Sequence, residues 1–202
     1  ADDLRQQGGM NSEQDDRQWR KEQRARLLAE RLAMPRDAPR AACTVITRIL
    51  AEDLVPQIAP KVVGAYSPIR GEYDCRPLLS ALHRQGVKLA LPVIVARDAP
   101  LEFHAWKPGD LMQDGPMNIP QPSKAAPVSP DCVLIPVVAF DAKNYRLGYG
   151  AGFYDRTLVG MNPKPVTIGT AFGFQRVDDI RPHAFDLALD FIVTEEGVQR
   201  RA

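Results

Sequence analysis

The sequence predicts an α/β domain of three layers, a mostly parallel sheet flanked by helices. Three observations carry that prediction. Stretches of strand character alternate with stretches of helical periodicity, the order that builds parallel sheets. Val87 to Val95 is an almost continuous apolar run, broken only by Lys88 and Pro92, as suits a strand buried on both faces. Val133–Asp141 is a second such run. It leads to a loop with three alternate glycines, Gly148, Gly150 and Gly152, and then a further helix.

The elements follow in order. Ala1–Arg17 is polar and reads as a disordered tail, leaving 18–202 as one domain. Gln18 to Met34 reads as a helix with Leu28 and Leu32 on its inner face, stopped by Pro35. Ala42, Val45, Ile46, Ile49 and Leu50 form an amphipathic stripe. Lys61–Tyr66 is a short strand, and Ser67–Glu72 is the loop at its carboxyl end. Tyr73–Arg84 is helical, with Leu78, Leu79 and Leu82 inward and Gly86 as its stop. Val87–Val95 is the next parallel strand, and Leu101–Trp106 alternates like an edge strand. Residues 107–130, rich in proline and glycine, read as a long loop of the kind that often carries function. Strands at 132–139, Pro165–Phe172 and Phe191–Thr194 complete the sheet. In such sheets ligands bind beyond the carboxyl ends of the strands. Ser67–Glu72 and the glycine loop are therefore expected to meet there.

Composition narrows the function classes. The 202 residues fit one larger domain, and a 45% hydrophobic share is enough for a core. The formal net charge of +1 offers no basic field for nucleic acid. No apolar run approaches the roughly 20 residues that span a bilayer, and the start shows no signal-peptide core. Cys43, Cys75 and Cys132 stand singly, without a C-x-x-C pair. This argues against a zinc knuckle or disulfide framework and for a reducing, cytoplasmic home. His83, His104 and His183 are isolated and receive no catalytic role.

A strand, a glycine loop and a helix N-terminus together suit phosphate, because backbone N–H groups converge and glycine permits close approach. Arg146 and Arg156 flank the loop and can neutralise phosphate oxygens; Asp155 can hold a magnesium ion. The segment suggests a nucleotide triphosphate, or at least a phosphorylated compound. No Gly-Lys-Ser/Thr follows, so it is not a Walker A loop. No Ser-His-Asp or Cys-His set is apparent.

Four stretches together resemble one family. Pro136–Arg156 is similar to the signature Pro-Gly-x-x-Phe-Asp…Arg-Leu-Gly-x-Gly-x-Gly-Tyr-Tyr-Asp-Arg. Tyr66–Glu72 is like a strand-end loop carrying a glutamate. Asn118–Pro122 matches a Gly/Asn-Ile-x-x-Pro segment, and Arg20–Arg31 a Lys-x-x-x-Arg helix. In order and rough spacing these resemble the 5-formyltetrahydrofolate cyclo-ligases, also called 5,10-methenyltetrahydrofolate synthetases, from about Trp19 to Glu195. The chain departs from the pattern in having Arg20 for lysine, Ala151 where some relatives carry lysine, Phe153 for the first tyrosine and Val137 for glycine.

The resemblance implies ATP as co-substrate, Mg2+, and cyclisation of 5-formyltetrahydrofolate to 5,10-methenyltetrahydrofolate with release of ADP and phosphate. It implies an architecture like that of sugar-phosphate isomerases and CoA-transferases. ATP would meet Arg20, Lys21, Arg24 and the run Arg146, Leu147, Gly148, Tyr149, Gly150, Ala151, Gly152, Phe153 and Tyr154. The folate would meet Tyr66, Ser67, Glu72, Tyr149 and Phe153. Arg146, Tyr154 and Asp155 would serve catalysis. Asp155 and Asp190 would hold metal, with Asp186 competing for the second place. Partners would be the small molecules alone, neither nucleic acid nor membrane, in a monomer or weak homodimer. Two alternatives stay open: a catalytically weak folate- or nucleotide-binding paralog, and an isomerase-like enzyme.

Overall fold

The computed structural model of the chain describes residues 2–123 and 126–202. The helices are α1 (Asp2–Leu32), α2 (Asp37–Arg48), α3 (Val55–Ile58), α4 (Arg76–Arg84) and α5 (Phe153–Gly160). The strands are β1 (Val62–Gly64), β2 (Lys88–Val93), β3 (Glu102–Trp106), β4 (Met112–Asp114), β5 (Pro120–Pro122), β6 (Cys132–Pro136), β7 (Ala139–Phe140), β8 (Arg146–Leu147), β9 (Val166–Thr170), β10 (Phe191–Thr194) and β11 (Gly197–Arg200).

Seven strands make the main sheet, in the order β11-β10-β9-β6-β1-β2-β3. The inner five run parallel, and β3 and β11 close the edges antiparallel. β6 shows why the centre reads as a continuous apolar run. Cys132 and Leu134 face one layer, with Leu50, Leu54, Leu78, Leu79 and Leu82. Val133 and Ile135 face the other, with Leu158 of α5, Phe140 and Leu189. Both faces are dry, so every position along the strand must be apolar. The three expected layers are present.

From β1 the chain proceeds to β2 on one side, while β6, β9 and β10 extend on the other. Neighbouring loops therefore part between β1 and β6, and a crevice opens at the carboxyl ends of those strands. The loop after β1 and the glycine loop after β6 and the β7–β8 hairpin both reach it.

The structure corrects several sequence expectations. α1 runs from Asp2, through the stretch read as a tail, rather than from Gln18. Its inner face carries Arg20, Leu27 and Arg31, with Leu32 59% exposed. The stripe is rotated because guanidinium groups, not leucines, occupy much of it. The second helix continues as a π-helical turn at Ile49–Leu54 into the short α3, where Pro56 cannot donate the next backbone hydrogen bond and follows directly on the altered turn. Within 107–130, β4 and β5 form a hairpin. β10 is not the last strand, since β11 pairs back on it.

Candidate functional site

The loop after β1 is organised by Glu72, which is 8% exposed. Its Oε2 accepts the Ile69 N–H at 2.9 Å. Its Oε1 accepts the hydroxyl of Tyr149 in the glycine loop at 2.8 Å. Arg31, 3% exposed, donates Nη2 to the same Tyr149 hydroxyl at 2.6 Å, Nε to the Arg70 carbonyl at 3.0 Å and Nη1 to the Val137 carbonyl at 3.3 Å. Arg70 lies over the Tyr149 ring, 5.4 Å from its centre. One helix and two loops thus converge on a tyrosine and a carboxylate.

Burial pushes the Glu72 carboxyl above the ordinary carboxylate range; the Ile69 N–H, the Tyr149 hydroxyl, Arg31 and Arg70 pull it back. Tyr149 is pushed up to about 12, first by burial and then by the charge of Glu72.

The glycine loop also meets α1. Arg24 donates Nε to the Gly148 carbonyl at 2.8 Å and packs 3.5 Å from where a Cβ on Gly150 would stand. Burial and the neighbouring Arg20 lower the Arg24 pKa. Gly150 at φ +98 and Gly152 at φ +69 occupy the left-handed region that other residues avoid. Arg156 closes the far side, donating to the Ala151 carbonyl at 2.7 Å and lying over the Phe153 ring. Lys21 is exposed on α1 and Ala151 at the loop tip; Leu147 is buried.

Arg146, also buried, donates Nη1 to Asp155 Oδ1 at 3.2 Å and to the Leu187 carbonyl at 3.3 Å. Asp155 Oδ1 also accepts the Leu187 N–H at 3.2 Å. Arg20 is bound by Asp186 and by the Arg181 carbonyl. Its Nε and that of Arg156 are buried donors without a hydrogen-bond partner among the described residues.

Some expected residues are not brought together. Tyr66 is core: its hydroxyl bonds the Tyr73 carbonyl at 3.1 Å and the Thr170 hydroxyl at 2.7 Å. It presents no wall to a ligand. Ser67 turns to the Pro120 carbonyl, tying the β4–β5 hairpin to the loop. Tyr154 packs against the α5 face of the sheet, and burial pushes its phenol above the ordinary range. Asp190 lies at the amino end of β10, opposite the crevice. Its carboxylate takes the Thr167 N–H and hydroxyl and pairs with Arg201, so it shares no partner with Asp155. Asp186 is committed to Arg20. No group of three or more His, Cys, Asp or Glu able to hold a metal occurs among the described residues.

A cavity of about 570 Å³ lies elsewhere, between Lys164, Asp190, Phe191, Arg200 and Arg201 at the amino ends of the strands. Its cations are already bound: Lys164 to the Leu158 and Val159 carbonyls, Arg200 to Gln57, Arg201 to Asp190. The strand topology favours the crevice at the carboxyl ends of β1 and β6. Arg31 and Arg70 are the site residues that sequence reasoning missed. Both stand inside the resembling stretches, but an arginine on a helix face gives no sign that it is buried, as Arg31 is, and one on a loop gives no sign that it lies over a tyrosine, as the exposed Arg70 does.

Fold and site together define an α/β protein with an arginine-flanked glycine loop facing a buried carboxylate across the switch point of a parallel sheet. The profile of the 5-formyltetrahydrofolate cyclo-ligase family matches residues 16–195. The 5-formyltetrahydrofolate cyclo-ligase of Escherichia coli K12 is 32% identical over 150 residues, 71% of this chain and 82% of that protein. That of Mycoplasma pneumoniae is 28% identical over 174 residues, 86% and 96%. The Aquifex aeolicus 5,10-methenyltetrahydrofolate synthetase structure superposes with a TM-score of 0.78 at 29% identity, covering 90% of this chain and 92% of that one. The chain belongs to the 5-formyltetrahydrofolate cyclo-ligase family.

Proposed function

We propose that the protein joins ATP and 5-formyltetrahydrofolate to give 5,10-methenyltetrahydrofolate, ADP and phosphate. The hydrogen bond from Tyr149 to Glu72 carries this reading beyond family membership. It joins the phosphate-type loop to the strand-end carboxylate, so ligands held on either side would lie against each other. The formyl oxygen attacks the γ-phosphorus and ADP leaves. N10 then attacks the formyl carbon and gives up its proton to solvent, and the carbon–oxygen bond breaks with phosphate as the leaving group. Such chemistry needs positioning and charge neutralisation rather than a protein nucleophile.

Arg24, Lys21 and the backbone of Leu147–Tyr154 would hold the triphosphate. Arg146 would neutralise charge, and Glu72 would accept pterin ring N–H groups, with Ser67, Tyr149 and Phe153 at its border. Magnesium would enter on the nucleotide phosphates. Asp155, whose Oδ1 alone is engaged among the described residues, offers it one carboxylate oxygen, as suits a cation that keeps phosphate and water ligands. When bound, it would draw charge from the transferred phosphoryl group.

The layer arrangement is in keeping with the sugar-phosphate isomerase and CoA-transferase-like architecture. Carbonyl chemistry of that kind needs a poised carboxylate; the arginine-flanked glycine loop suits a triphosphate better. Three free thiols, one half-buried, suit a reducing cytoplasm. No helix of the described residues is long and apolar enough to cross a membrane.

The test is absorbance growth from the methenyl product on mixing protein, 5-formyltetrahydrofolate, Mg2+ and ATP, against an ATP-free control. ATP-dependent product is expected. No product, with both ligands still raising the Tm, would replace the ligase with a binding paralog.

A further inference from the structure

We infer that Arg31 is a positioning residue: it holds the Tyr149 hydroxyl against Glu72, so that one buried guanidinium sets the pterin-side carboxylate. This rests on the reading of Glu72 as the reduced-folate ligand.

The geometry is specific. Arg31 comes from α1, yet its three nitrogens reach three acceptors on three segments: the Arg70 carbonyl beside Glu72, the Val137 carbonyl after β6, and the Tyr149 hydroxyl. A planar guanidinium can satisfy all three at once; a lysine ammonium at the same Cα has neither the fork nor the fixed directions. The Tyr149 hydroxyl has one proton and donates it to Glu72, so it must accept from Arg31. The chain of donation therefore has one direction, from guanidinium to phenol to carboxylate. The Tyr149 ring is fixed as well, beneath Arg70, although the residue is 40% exposed in a loop whose glycines would otherwise leave it free.

Glu72 needs this support. Burial works against its ionised form, which accepts ring N–H groups more strongly than the protonated form and at both oxygens. The groups facing it are Arg31 from α1, Arg70 and Ile69 from its own loop, and Tyr149 from the glycine loop. Tyr66, Cys75 and the α5 residue Tyr154 lie near as neutral groups. Removing the Tyr149 hydroxyl deletes a donor to the charged carboxylate and raises its pKa further. Glu72 then loses its proton only at higher pH.

Binding, not turnover, tests this. The Kd of 5-formyltetrahydrofolate is measured from pH 5 to 9 without ATP, for the wild type, Tyr149→Phe, Arg31→Lys and the double variant. Tyr149→Phe removes only the hydroxyl oxygen that joins Arg31 to Glu72 and keeps the ring beneath Arg70. The expected result is about tenfold weaker folate binding near neutral pH, recovering as pH rises, the scale of a lost hydrogen bond to a charged group. Arg31→Lys should give the same loss, and the double variant little more, because the two act in series. The Kd for ATP, measured without the folate, should move far less. Wild-type folate affinity and pH profile in both single variants would overturn the proposal. So would equal losses for ATP and folate. Tighter binding by Tyr149→Phe would do the same, by making Tyr149 a competitor of the substrate. Wild-type protein that binds the folate without turnover would refute the ligase reading alone; wild-type protein that binds none would refute both.

Discussion

At Arg20 a guanidinium is buried to 7% exposure beside Asp186, whose side chain keeps 18%. Removing either partner strands the other charge away from water. Asp186→Ala should therefore cost about 3 kcal/mol, the low end for a broken buried pair, seen as a lower urea midpoint with unchanged m. The double replacement Arg20→Met with Asp186→Leu should recover part of that loss, because no charge is left unpaired. A single-variant loss below about 1 kcal/mol would show the pair to be effectively solvated. The residue types around this site were legible in the sequence: Glu72, Arg24 and the three glycines stand where the motifs put them. Their partners were not. Tyr66 and Asp190 carry suitable chemistry, yet Thr170 takes one and Thr167 with Arg201 the other. Hydrogen bonds across 23 or 104 residues leave no periodic trace in a sequence.

Among elements, β9 and α5 show opposite uses of glycine. A Cβ on Gly169 would stand 2.6 Å from Ile192 Cδ1 and 2.8 Å from Leu189 Cδ1, both in buried side chains. Gly169→Ala should overpack this junction by about 1–3 kcal/mol, lowering the Tm by several degrees. Gly160, at the end of α5, has nothing within 4 Å and no positive φ. Gly160→Ala should be neutral or stabilising by up to about 1 kcal/mol. Thermal melts of both variants decide the matter; an unchanged Tm for Gly169→Ala would mean that β9 and β10 yield easily. Strands buried on two faces and α4, with its leucine stripe, were readable because a single solvent contrast sets their pattern. The register of α1 was not, since its inner face is stabilised by arginine hydrogen bonds rather than by apolar burial.

For the whole molecule, the cysteines report how tightly the layers close. Cys75 and Cys132 are fully buried, and burial pushes each thiol up to about 12. Cys43 on α2 is half-buried and only moderately raised. The thiolate is the reactive form, so a native sample should yield one slowly reacting thiol to a disulfide reagent at pH 8, and all three in denaturant. Two or more fast thiols in native protein would mean that the sheet opens locally.

Alternating apolar runs, one amphipathic stripe and a glycine loop were enough to specify three layers, a mostly parallel sheet and the loops that meet at its carboxyl edge. Those features are local, and burial imprints them residue by residue. Tertiary structure alone decided that α1 turns arginines inward, that Tyr149 crosses from one loop to the carboxylate of another, and that Asp190 lies at the wrong end of its strand for a metal. Each depends on which polar groups meet after the chain has folded, and a buried polar group takes whichever partner the packing presents.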